Sequence, residues 1–187
     1  MKILIVIIII LALAVGLFII FMNSGIYNVA ATSEHGALTL KIIEVTKDNS
    51  IRKHAAGIEV PELTDSAMIA EGFAHFDEMC VICHGAAGIG KDAFAIGLYP
   101  EAPSLAEEGD EWTAPELFWI TKHGIKLTGM PAIGDVHSDE EIWPIIAFLQ
   151  VLPEMTYQEY MSMRQTGEQE SAEPEEENSE DHGSHTH

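Results

Sequence analysis

The chain is poor in cysteine, in bases and in anything that reads as a β-strand. Among its 187 residues only Cys80 and Cys83 are cysteines. No second pair exists to build a disulfide framework, so these two act jointly. Nine lysines and arginines stand against 30 acids, for a formal net charge of −21. That balance excludes a nucleic-acid surface and repels anionic headgroups. It suits a partner with a basic docking face, although for most single acids solubility is role enough. No alternating apolar pattern and no internal repeat is present, which points to a core made of helices.

What the chain does have is one long apolar run. Ile3 to Met22 is unbroken by charge, and about 20 residues at 1.5 Å each cross a bilayer core of about 30 Å. A cleaved signal has a shorter apolar stretch, and the small-residue pattern Val29-Ala30-Ala31 is weak, so an uncleaved anchor over residues 1–23 is the expectation. Lys2 is the only charge before the span and Glu34 the first after it. This asymmetry places the N-terminus inside and the remainder on the extracytoplasmic side.

Residues 24–62 read as a stalk or linker. His35 to His54 is mildly amphipathic, through Leu38, Ile42, Ile43 and Val45, and is broken at Gly57 to Pro61. A domain is expected over 63–161. Thr64 or Asp65 caps its first helix, and Ile69, Gly72, Phe73, Phe76 and Cys80 fall on one face. Gly85 to Gly109 is a long Gly- and Pro-containing loop, of the kind that wraps a ligand. Thr113-Ala-Pro-Glu116 and Ser138-Asp-Glu-Glu141 are capping boxes that start two more helices. Trp112 and Leu117 are spaced for a hydrophobic staple across the first, and Gly124 stops that helix. Pro144 should bend the last helix or delay its start. Residues 162–187 read as a disordered acidic tail carrying His182, His185 and His187.

The chemistry sits in Cys80-Val81-Ile82-Cys83-His84. This is C-x-x-C-H, the haem c attachment pattern: two thiols at i and i+3 on one side of a helix end reach the two vinyl groups, and the next imidazole lies under the iron. A zinc site needs a second ligand cluster that the folded part lacks, and a redox dithiol belongs at a helix start in a βαβ setting. For the sixth iron position Met130 is the leading candidate, since Thr128-Gly-Met-Pro131 is a tight loop able to lay one side chain against a haem face; His123, His137, Met155, Met161 and Met163 remain alternatives. Trp112, Trp119 and Trp143 suit either a haem crevice or simple core packing.

From about Asp65 to Leu152 the sequence resembles class I c-type cytochromes, particularly the bacterial membrane-anchored monohaem type. The likeness rests on Gly72 with Phe76, Cys80-x-x-Cys83-His84-Gly85, Ala102-Pro103-Ser104-Leu105, Thr128-Gly129-Met130-Pro131, and Trp143 and Phe148 on the last helix. It implies an all-α class I cytochrome c fold behind one N-terminal transmembrane helix, with the first and last helices crossing at Gly72. It implies one covalent haem c on Cys80 and Cys83, with His84 and Met130 as axial ligands. The carbonyl of Pro103 should hold the His84 ring. The function so implied is single-electron transfer rather than enzymatic turnover, with membrane or periplasmic redox proteins as partners. A haem subunit of a dehydrogenase or oxidase is the second reading, and a gas-binding sensor or enzyme with an open sixth site the third. Acids at Asp77, Glu78, Glu107, Glu108, Asp110 and Glu111 would favour a basic partner face.

Overall fold

A computed structural model describes residues 1–108 and 111–172. Asp110 and the histidines His182, His185 and His187 lie outside the described residues. The described residues contain helices and no β-strand; the nearest thing is an isolated bridge between Ala86 and Ile89. They divide into two units, Met1–Ile43 and a second beginning at Glu44.

The first unit is dominated by α1 (Lys2–Asn23), whose mean hydropathy is 3.6 and which buries none of its residues against protein. An exposed helix of that length and character fits a membrane anchor. Asn23 and Ser24 turn back to bond the carbonyls of Ile19 and Phe21, which satisfies the helix end.

The second unit is the cytochrome-like core. From Glu44 on, α2 (Ala37–Ala55), within the stretch read as stalk or linker, falls in this unit. The buried residues are Ile51 and Ala55; Ile42, Ile43 and Val45, the apolar residues apparent in the sequence, are exposed. Arg52 and Lys47 lie 5.5 and 5.8 Å from the Trp112 ring centre, and His54 stacks on Trp119 at 5.6 Å.

Helix α3 (Ser66–His75) starts at Asp65, whose Oδ1 accepts from Ala67 N at 2.8 Å. It runs through a π turn, Phe76–Cys80, into α4 (Val81–His84). After the short α5 (Leu105–Glu108), both expected capping boxes are formed, opening α6 (Ala114–His123) and α7 (Asp139–Val151). Helix α7 begins on schedule and continues through Pro144. The hydrogen bond Pro144 cannot make would go to the carbonyl of Glu140, an exposed first-turn residue open to solvent.

Helices α3 and α7 cross with Gly72 against the backbone of Pro144: a Cβ on Gly72 would fall 1.8 Å from the Pro144 oxygen. Phe148 meets Phe73 edge-on at 5.5 Å and Phe76 at 5.1 Å, and these rings with Ile142, Ile145 and Ile146 form the core. Trp143 stacks on Phe118 at 4.1 Å.

Residues 162–172, expected to begin a tail, are helical: α8 is Tyr157–Ala172. Thr156 and Glu159 form a third capping box, with Thr156 N and Oγ1 both donating to Glu159 Oε2. Tyr160 is fully buried and meets Phe73 edge-on at 5.1 Å. Its hydroxyl donates to Asp77 Oδ1 at 2.6 Å, and the Arg164 guanidinium donates to both oxygens of the same carboxylate. The helix is thereby fastened to the π turn that precedes the cysteines. Hydrogen bonds to a charged group contribute roughly 1.5–3 kcal/mol. Arg164→Met should therefore destabilise this unit by about 2 kcal/mol, seen as a lower urea midpoint with an unchanged slope.

Candidate haem site

The site is assembled by one helix end and two loops. The π turn closes with Val81 N on the Phe76 carbonyl and delivers Cys80; one α turn later come Cys83 and His84. π turns of this kind recur at functional sites. The chain then reverses at Gly85, whose φ of 65° is left-handed and whose Cβ position lies 2.6 Å from the Ile89 carbonyl. The tight loop that follows is closed by two bonds between Ala86 and Ile89. Asp92 N returns to the Ile82 carbonyl at 3.0 Å. These bonds fix the segment after the motif against the motif itself.

His84 is half-buried. Its Nδ1–H donates to the Pro103 carbonyl at 2.9 Å, which fixes the tautomer and leaves Nε2 free to bind a metal. Burial holds the imidazole below its ordinary pKa, against the opposing pull of the Pro103 bond and with a smaller push from Lys91. The neutral ring is the ligating form. The Cys80 thiol is pushed up to about 12, chiefly by burial and secondarily by Cys83. A thiol so held is neither a ready zinc ligand nor a reactive redox thiol.

The second loop comes from α6 and α7. Gly124, at a φ of 63°, ends α6, and Ile125 N bonds the Met130 carbonyl at 3.2 Å. Thr128 Oγ1 donates to the Ile125 carbonyl at 2.7 Å and accepts from Met130 N at 3.1 Å. Met130 is half-buried at the end of this stiffened turn. A Cβ on Gly129 would lie 2.9 Å from Leu98 Cδ2, so the Met130 loop abuts the loop that leaves the cysteine motif. Phe94 and Ile96, on that same loop, are exposed apolar side chains beside the motif, as is Ile82 within it.

The structure thus brings together four of the expected site residues, Cys80, Cys83, His84 and Pro103, and sets the Met130 loop alongside. Four of the five other candidates for the iron are otherwise engaged. Met155 and Met163 pack on the core, His123 lies against Trp119, and His137 meets His75 and approaches Glu141. Met161 is half-buried on α8. The three tryptophans all have protein partners: Lys47 and Arg52, His54 and His123, and Phe118. Among the described residues no group of three or more His, Cys, Asp or Glu is arranged to hold a metal ion.

These residues fit a haem. A neutral imidazole with its far nitrogen free, two un-crosslinked thiols one turn apart, a thioether loop and apolar side chains are the donor set and lining a porphyrin needs. The fold and the site are those of a class I c-type cytochrome domain, in a chain that also carries one apolar N-terminal helix. Residues 67–149 match the family described as cytochrome c oxidase, cbb3-type, subunit III. That match implies haem c and electron transfer. No curated protein matches the chain.

Lys91 is the residue of this site that sequence reasoning misses. It donates to the Ala102 carbonyl at 2.5 Å and to Glu101 Oε1 at 2.6 Å. A single lysine in a loop carries no signature of a partner ten residues away.

Proposed function

We propose that the chain is a single-haem electron carrier, tethered by α1, in which Cys80 and Cys83 hold the haem through thioethers and His84 and Met130 ligate the iron. The observation that carries this reading is the His84 Nδ1–Pro103 bond beside the cysteine pair. It aims a neutral imidazole at one position, as an axial ligand must be aimed. Two cysteines in one motif account for one haem. When bound, the haem supplies the one-electron couple between ferric and ferrous iron. The protein's part is to bury it, orient His84, offer Met130, and keep the iron coordinatively closed. A soft thioether favours ferrous iron and raises the potential.

The charge order around α1 supports an extracytoplasmic haem domain. The acidic surface favours a redox partner with a basic docking face, and the tether raises the local concentration of membrane partners. The second reading, a fixed haem subunit of a terminal oxidase, is favoured by the family's description. Its electron chemistry is the same, and co-purification with a larger complex separates the two.

Met130 is tested by substitution with alanine. The wild type should show the far-red sulfur-to-iron band and bind no carbon monoxide when reduced. Met130→Ala should lose the band, bind carbon monoxide and titrate at a lower potential. A wild type that lacks the band and takes up carbon monoxide at once would falsify the ligation and favour a gas-binding role.

A further inference from the structure

We propose that Lys91 is a positioning residue for the axial histidine and a fixed cation that raises the potential of the haem. The proposal rests on the His84 ligation argued above.

The geometry is built from the turn upward. Gly85 reverses the chain, the Ala86–Ile89 bonds close the loop, and the Asp92–Ile82 bond pins the residue after Lys91. Lys91 therefore leaves a fixed backbone. Its ammonium reaches across to the 101–103 segment of the loop and donates to the Ala102 carbonyl. The next carbonyl along, Pro103, is the one that receives the His84 Nδ1–H. Lys91 thus clamps the peptide that precedes the histidine's acceptor. Without it, His84 is left to tie the 101–103 segment to the motif, and the imidazole loses a rigid reference.

The charge acts in the same direction. Lys91 keeps 19% of its side chain exposed, whereas its partner Glu101 keeps 67%. Water screens the carboxylate far more than the ammonium, so the pair does not cancel when seen from the protein interior. Ferrous haem carries one positive charge fewer than ferric haem. A nearby cation less screened than its counter-ion therefore favours the reduced state.

Three variants of the full-length, haem-loaded protein separate staple from charge. Lys91→Met removes both, Lys91→Gln keeps a donor without charge, and Lys91→Arg keeps both. Redox titration should show the equilibrium constant for reduction falling about tenfold in Lys91→Met, which for a one-electron couple is about 59 mV. Lys91→Gln should fall by a similar factor and Lys91→Arg by less than threefold. Proton NMR should show the His84 Nδ1–H exchanging faster with solvent in Lys91→Met than in Lys91→Arg.

An unchanged potential in both neutral variants, with the Nδ1–H signal as slowly exchanging as in the wild type, overturns the proposal. If Lys91→Met does not accumulate, the comparison of Lys91→Gln with Lys91→Arg decides it alone. Absence of that proton signal from the wild type removes the ligation itself, and the proposal with it.

Discussion

Cys80→Ser/Cys83→Ser protein should release its entire haem into acidified organic solvent and show no haem on a denaturing gel. The wild type should retain all of it. Each single serine variant should keep a haem held by one thioether. The argument is geometric and chemical. The cysteines are one α turn apart at the end of a helical run, both half-buried and neither in a disulfide. Oxygen forms no thioether, so serine preserves size and polarity while deleting the bond. The compact unit is small, with a core built on four phenylalanines, Tyr160 and a set of aliphatic residues, so a covalently held cofactor should also add to its stability. Thermal unfolding of the double variant should accordingly begin well below that of the wild type. Haem that stays with the double variant through denaturation would show that the attachment lies elsewhere.

The second large effect is expected from Gly72→Val, which should prevent the domain from accumulating in folded form. Even the Cβ shared by every other residue would lie 1.8 Å from the Pro144 oxygen and 2.3 Å from its carbonyl carbon. Both neighbours are backbone within a helix, so no side chain can move aside. The α3–α7 crossing has to open, and with it the contacts of Phe73 and Phe76 on Phe148. Losses above about 4 kcal/mol are exceptional for single substitutions, and against a total stability of about 5–15 kcal/mol this one falls in that range. Gly97 provides the control, because nothing lies within 4 Å of its Cβ position. Gly97→Ala should match the wild type in far-ultraviolet circular dichroism and haem content. Wild-type thermal stability in Gly72→Val would mean that the crossing is not as described.

What the sequence made legible were features with local chemical signatures. Caps at Asp65, Thr113 and Ser138 announce the starts of α3, α6 and α7, because each satisfies backbone donors of its own helix. The cysteine–histidine motif is local for the same reason, and the class I resemblance supplied the Gly72 crossing and the Pro103 carbonyl. The start of α8 was equally available, since Thr156-Tyr-Gln-Glu159 is a capping box. The acidic composition beyond it points toward a tail and masks the signal. Elsewhere the sequence is silent for a physical reason. Asp77 meets Arg164 and Lys91 meets Ala102 through loops and helix packing that no periodicity encodes. In α2 the apolar residues that catch the eye are exposed, and Ile51 and Ala55 are what the fold buries. The π turn leaves no pattern either, because it inserts one residue into an otherwise regular helical run.

The two flanking helices change what a minimal soluble fragment of this protein has to contain. A recombinant piece trimmed to residues 67–149 would strip Tyr160 from the Phe73 ring and leave Asp77 without its guanidinium. It would also uncover the face of Trp112 on which Arg52 and Lys47 lie. Scissors belong instead in the short segment between Ser24 and Gly36, ahead of α2, and after Ala172 at the other end.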